Sequence, residues 1–394
     1  MTRQVVIHVS APWERFHRRP LIEALSRVGG SKLDILIVDR PLDLVVAPIR
    51  RRADLKRWLR EPGARSYPCA DNMRVLTPFV PIHEHLAARI PFLATACERL
   101  LRAQIDREMP RLPGTPRVEW IYYPEQQLHL HPAGETLALY ECYDEYNADP
   151  AGGGGRRRLL EDTLLRRSDL VLATASELYE ARRQRHPNIH LIPNAVDYAI
   201  LSEAQAVGAI ASEVAALPEP RIGFLGYFNH AVDLELIEAA LSREPSWSWV
   251  FIGPPGGVDP PGMARLRAYP NAHFLGFILQ RELAPFLRGL SVGVIPFKTE
   301  GAYNQSINPL KLYEYMAAGL PIVSTTLREV ARFSPPVLMA EDLEAFLQGI
   351  RTLASDAEAW QASRLAGDRI ARRETWEERA RQILALIEEG ACRA

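Results

Sequence analysis

Short apolar runs alternate with stretches of helical periodicity along almost the whole chain. Residues 5–9, 33–38, 74–76, 118–123, 137–143, 170–173 and 190–192 read as strands. Among them, residues 20–28, 82–108 and 156–167 carry apolar positions at helical spacing. Alternation of this kind predicts a parallel, doubly wound sheet, because parallel neighbours need a long crossover and a helix supplies it. The pattern breaks at residues 199–216, Ala-rich and expected to be helical, and at the following LPEP of residues 217–220. It then restarts, with strands at 222–225, 249–252, 272–275, 292–295 and 321–324. Helices are expected at 233–241, 282–290 and 309–318, with a Pro/Gly loop at 253–262. Residues 375–389 form a last amphipathic segment whose Trp376, Ala380, Ile383, Leu384, Leu386 and Ile387 fall near one face. Such a helix needs an apolar surface to cover and is suited to bridging the two units.

Length agrees with two units, since 394 residues exceed the ~250–300 at which one core stops growing. The expected division is 1–200, 201–374 and the helix of 375–394. A net charge of −1 removes any global pull toward nucleic acid. The halves differ, with 29 Lys and Arg against 25 Asp and Glu in residues 1–200, and 18 against 23 in the rest. Cys69, Cys97, Cys142 and Cys392 are scattered, without the close pair of a metal site or a disulfide framework, so a reducing, cytoplasmic compartment is expected. His129 and His131 likewise lack the spacing and partner of a metal pair. The N-terminal apolar run is interrupted by His8 and reads as a strand, not a signal peptide. No stretch reaches the ~18–20 apolar residues that cross a bilayer, so any membrane contact would be peripheral.

The sharpest chemical signal is SINPLKLYEYMAAGLPIVST at residues 306–325. Asn308 stands at a natural cap position, Pro309 suits the first helical turn, and Gly319 ends the helix before a strand. A helix start offers free N–H groups and partial positive charge to a diphosphate. Lys311 adds a full charge there, and Glu314, one turn on, is placed to accept two ribose hydroxyls. A buried helix ending in a Lys–Glu pair is the competing structural explanation.

This segment resembles the donor-binding helix of GT-B glycosyltransferases, close to family 4, the group 1 transferases. Further resemblances run in order: WERFHRRP (13–20), LYECYDEY (139–146), SDLVLATASELYE (168–180), HLIPNAVD (190–197), RIGFLGYFNHAVDLELI (221–237), FLGFI (274–278) and VGVIPFK (292–298). The resemblance implies two Rossmann-like domains facing a cleft, with the terminal helix crossing back to the first. It implies a nucleotide-sugar donor held by the second domain and a hydroxyl acceptor, with no resident cofactor and no metal. The acceptor stays open between a glycan, a lipid-linked saccharide and a small natural product. Glu314 takes the family's second acidic position. The first is Ser306 here, which leaves sugar identity and anomeric outcome open.

Further donor contacts implied by the resemblance are Gly226, Tyr227 and Asn229 in the turn after a strand, Phe277 and Ile278 near the base, Lys298, Asn308, Pro309 and Leu310 around the diphosphate, and Ser306 at the position that usually touches the donor sugar. In the first domain Trp13, Arg18, Arg19 and Tyr123 are candidates for the acceptor. Asp144 is the first candidate for a catalytic base, followed by Glu125 and His129. Two more features stand apart. Gly152–Gly155 lacks the full Walker pattern, and the basic run of residues 50–60 suits anionic head groups as well as a solvated helix face. A nucleotide-sugar epimerase, or a silent sugar- or partner-binding protein, fits the same architecture. A dehydrogenase does not, because neither half has GxGxxG after its first strand.

Overall fold

A computed structural model describes all residues except 1, 83–90, 115–116, 131–135, 147, 149–153, 254–261 and 394. The expected loop at 253–262, the start of the 82–108 helix, part of the 152–155 loop and His131 therefore fall wholly or partly outside the described residues.

The first sheet contains β1 (Arg3–His8), β2 (Leu33–Val38), β3 (Ser66–Ala70), β4 (Met73–Leu76), β5 (Arg117–Ile121), β6 (Thr136–Cys142), β7 (Leu170–Ala173) and β8 (Ile189–Leu191). Their order is β3-β4-β2-β1-β5-β6-β7-β8, and every pair is parallel except β3 with β4. The second sheet contains β9 (Arg221–Leu225), β10 (Ser248–Ile252), β11 (Ala272–Gly276), β12 (Val292–Ile295), β13 (Ile322–Thr325) and β14 (Val337–Ala340). It is wholly parallel in the order β11-β10-β9-β12-β13-β14. In both sheets the strand order reverses beside the first strand, β1 or β9. Ligands of open α/β sheets sit at that reversal, off the carboxyl ends of the strands. Two doubly wound units, the GT-B arrangement, are thus present.

The central strands read clearly because both faces are buried: five consecutive residues of β5, β9 and β10 are inaccessible. Three expectations need correction. β3 passed unnoticed because SYPCA is an edge strand with mostly accessible side chains and an internal Pro68, so it lacks the apolar alternation of a core strand. Residues 199–216 form short turns, Tyr198–Leu201, Ser202–Gln205 and Ser212–Ala215, instead of one helix. Helical structure expected at 282–290 narrows to Ala284–Leu287, with Pro285 in its first turn, where a residue without an N–H is tolerated. Beyond residue 325 the structure adds β14 and the helices Leu343–Ser355 and Ala357–Ala371, which pack on the second sheet and on the helix Leu310–Ala318.

The terminal helix Trp376–Arg393 crosses back to the first domain and lies along the helix Arg19–Gly29. It buries Trp376, Ala380, Ile383 and Ile387 among Leu21, Ile22 and Leu25. Its entry is fixed by backbone pairing: Val196 N–H donates to Glu374 O at 3.0 Å, and Trp376 N–H donates to Val196 O at 3.1 Å. No helix among the described residues is long and apolar enough to cross a membrane.

Candidate functional site

The second domain builds its site where β9 and the helix Leu310–Ala318 meet. β9 runs into Gly226, whose φ of 121° belongs to glycine, and its N–H donates to Ile252 O at 2.8 Å. Gly253 packs on this turn so closely that a Cβ there would lie 2.2 Å from Gly226 O. Under the turn lies Lys311, whose Nζ would stand 3.4 Å from a Cβ at position 226. The ammonium sits between two rings, 4.1 Å from the centroid of Phe224 and 4.2 Å from that of Phe297. Burial pushes Lys311 down to about 7 despite the attraction of Glu314. It pushes Glu314 up to about 7 against the pull of Lys311 and a hydrogen bond to Gln280. A cation and a carboxylate, each costly to keep charged, therefore stand on successive turns of one helix.

That helix is clamped on nearly all sides, with Leu312, Tyr313, Tyr315, Met316, Ala317 and Ala318 buried as well as Lys311. Gly319, at φ 68°, terminates it. Its start differs from the sequence expectation by one residue: Pro309 is the extended N-cap and no side chain caps it. The Asn308 amide is committed elsewhere, donating to Thr174 O just beyond β7 at 2.8 Å, while Asn308 O accepts from Asn194 Nδ2 at 2.6 Å. Leu310 packs against the first-domain core. The helix start thus abuts the carboxyl end of the first sheet, and the two strand reversals face one cleft.

The remaining donor candidates divide. Tyr227 and Phe277 are more than half exposed, Ile278 is half-buried, and Asn229 is exposed with its side chain accepting the Ala231 N–H at 3.0 Å. Lys298 is exposed, its N–H bonded to Ala231 O. Ser306 is buried and its hydroxyl donates to Tyr303 O at 2.7 Å, closing a local turn.

In the first domain a cavity of about 170 Å³ opens at the carboxyl ends of β1 and β2, lined by His8, Ser10, Asp39, Arg40, Tyr123, Glu125, His129 and Arg157 among others. Tyr123, Glu125 and His129 are thereby brought together. Glu125 pairs with Arg157 at 3.0 Å, and the His129 ring lies 5.0 Å from that of His8. Asp144 is half-buried and does not line this cavity. Trp13 is buried beneath Arg19, which pairs with Glu14 and Glu23 at the surface. Arg18 is corrected outright. It is fully buried, ion-paired with Glu141 and bonded to Asn194 Oδ1, and its guanidinium lies 5.0 Å from the Trp376 ring. It joins parts of the protein and has no open face for an acceptor.

Sequence reading missed His8 and Asp39, which stand at and just past the ends of β1 and β2. Their available signal was position, a polar residue closing an apolar strand in a doubly wound unit. Asp39 is held by the Arg40 N–H at 2.7 Å, and burial pushes its carboxyl upward.

Residues 219–356 match the family described as glycosyl transferases group 1. The match covers about a third of the chain. The matched segment contains β9 to β14 and the whole Lys311–Glu314 site. The chain is 25% identical over 177 residues to the putative teichuronic acid biosynthesis glycosyltransferase TuaH of Bacillus subtilis (strain 168), an alignment covering 44% of each. The match therefore spans less than half the length of that curated relative. Over the whole chain the fold is similar to sucrose-phosphate synthase from Thermosynechococcus elongatus, with a TM-score of 0.72 at 18% identity and 100% of both chains covered. It is also similar to Anabaena Alr3699/HepE, solved with UDP and glucose, with a TM-score of 0.62 at 12% identity over 98% of this chain and 100% of that one. At these identities the likeness concerns the fold.

Proposed function

We propose that the protein transfers a sugar from a nucleoside-diphosphate sugar to an acceptor hydroxyl. The observation that carries this reading is Lys311, a buried cation held between two aromatic rings under the Gly226 turn, with Glu314 one helical turn away. The diphosphate lies at the start of the helix Leu310–Ala318, its charge met by Lys311 and the amide end of the helix, with no metal required. Glu314 accepts the ribose hydroxyls. As the bond to the anomeric carbon breaks, negative charge grows on the leaving diphosphate, and these groups stabilise it where water is largely excluded. Tyr227, Asn229, Phe277 and Ile278 border the nucleoside and sugar. Ser306, with its hydroxyl turned to Tyr303, supplies no carboxylate to the donor sugar. The acceptor enters the first-domain cavity, where Asp39, Glu125, His129 and His8 are the groups within reach of a hydroxyl proton. The likeness to a teichuronic acid biosynthesis glycosyltransferase supports a bacterial polysaccharide as acceptor; a cytoplasmic site of action with peripheral contact to the membrane belongs to the same proposal.

The test is a thermal-shift screen of nucleoside diphosphates, starting with UDP, on the full chain and on Lys311→Ala and Glu314→Ala. Ligand at ~100 times its Kd stabilises by about 2.7 kcal/mol. The shift is expected to vanish in the lysine variant and to shrink in the glutamate variant. An undiminished shift in both places the nucleotide elsewhere and rejects the reading.

A further inference from the structure

The helices Ala47–Arg50 and Arg52–Arg60, which follow β2, leave large apolar side chains in water. Buried Asp43 accepts the N–H groups of Val45 and Val46 at 2.8 and 2.5 Å, which turns the chain and leaves Leu44 and Val45 outside. Leu44 is 64%, Ile49 82% and Leu59 61% exposed. The second helix is anchored by Trp58, stacked 5.2 Å from Phe79 and donating Nε1–H to Thr77 O at 2.9 Å. With that face inward, a turn of 3.6 residues puts Leu59, Arg52, Lys56 and Arg60 on one outer arc of roughly 100°. Residues 44–60 hold six Lys and Arg against one acidic residue, Asp54, which Arg51 engages at 2.9 Å.

The mixture selects the partner. A purely apolar protein surface would strip water from the basic groups without replacing it, and a soluble polyanion would leave the leucines and isoleucine in water. A bilayer with anionic lipids offers an acyl boundary for one set and phosphate for the other. We propose that residues 44–60 form a docking surface for an anionic lipid bilayer, with Leu44, Val45, Ile49 and Leu59 inserted and Arg50, Arg52, Lys56 and Arg60 against the head groups. The surface adjoins the first-domain cavity: residues 38–41 line that cavity, and Arg51 Nη1 donates to Arg40 O at 3.0 Å. A docked bilayer lies beside the proposed acceptor cavity. Delivery of a lipid-linked acceptor there rests on the transferase reading, whereas docking itself does not.

Sedimentation of the full chain with vesicles tests the docking without any substrate. The chain is expected to pellet with phosphatidylcholine vesicles containing a third phosphatidylglycerol, to stay in solution with phosphatidylcholine alone, and to be released by 0.5 M salt. Arg52→Glu/Lys56→Glu/Arg60→Glu should weaken partition at least ~100-fold, since each basic side chain near an anionic surface contributes about fivefold. Leu44→Ser/Ile49→Ser/Leu59→Ser should weaken it on the order of 100-fold while leaving the thermal melt and nucleotide shift unchanged, because these side chains are outside the core. Equal binding to both vesicle types, no binding to either, or wild-type partition in both folded variants overturns the proposal. Loss of nucleotide shift with intact vesicle binding would remove the transferase reading alone.

Discussion

Lys311 and Glu314 make the ligand-free site sensitive to pH in two opposite ways. Burial lowers Lys311 to about 7, so between about 7 and 10.5 the unfolded chain holds a proton that the folded one has shed, and stability rises with pH across that window. Burial raises Glu314 to about 7, so between 4.5 and about 7 the folded chain holds the extra proton and stability falls as pH rises. The pair thus contributes a minimum of stability near neutrality. Melting temperatures of wild type and Lys311→Met should differ most at and below pH 7, and the difference should shrink as pH rises from 7 toward 10.5. A constant difference would show that the ammonium is not under strain. A bound diphosphate favours the charged lysine, so nucleotide affinity should fall above pH 7, toward tenfold per unit. Titration calorimetry at pH 7 and 9 measures it. The chemical types of these two residues were plain from sequence. Their altered acidity was not, because it arises from burial, which for Lys311 comes from Phe224, Phe297 and Gly226 of other elements.

Among the elements, β9 and β12 show how a side chain completes a sheet. Their pairing is confined to Val292 with Ile222 and Gly293 with Gly223. There Tyr315 enters from the helix: its hydroxyl accepts the Leu225 N–H at 2.7 Å and donates to Gly223 O at 3.2 Å. A Cβ on Gly293 would lie 2.8 Å from the tyrosine ring, so the glycine makes room for it. Tyr315→Phe strands a buried N–H one residue before the Gly226 turn and should cost about 1–3 kcal/mol in denaturant unfolding. It should also weaken nucleotide binding, as the turn above Lys311 loses its support. Unchanged stability would mean that Leu225 finds another acceptor. Apolar periodicity located most core strands and the donor helix to within a residue or two. It failed for β3, an exposed edge, and for residues 199–216, where an Ala-rich composition gave way to short turns with a capping Asp197.

Across the whole molecule the two domains are joined by a buried polar chain. Arg18 bonds Asn194, Asn194 holds Asn308 O, and Asn308 reaches Thr174 O. Beside it Ser176 N–H donates to buried Glu329 at 2.6 Å, also across the cleft. The start of the helix Leu310–Ala318 is therefore positioned by the first domain and, through Arg18 over Trp376, by the terminal helix. Arg18→Met leaves Glu141 as an unpaired buried charge and should destabilise by about 3–5 kcal/mol. Arg18→Met/Glu141→Leu should recover most of the loss in stability, yet still bind nucleotide less tightly than wild type because Asn194 is no longer oriented. If the double variant binds normally, the chain serves stability alone.

The sequence by itself determined two doubly wound units, the terminal amphipathic helix and the Lys311–Glu314 pair. These follow from local periodicity and from residues a few positions apart on one helix. Only the tertiary structure decided that Arg18 faces inward, that His8 and Asp39 join Tyr123, Glu125 and His129 around one cavity, and that Asn308 spans the domains. Those outcomes depend on which strands become neighbours and which faces are shut from water. Such long-range packing leaves no regular imprint on the order of residues in the chain.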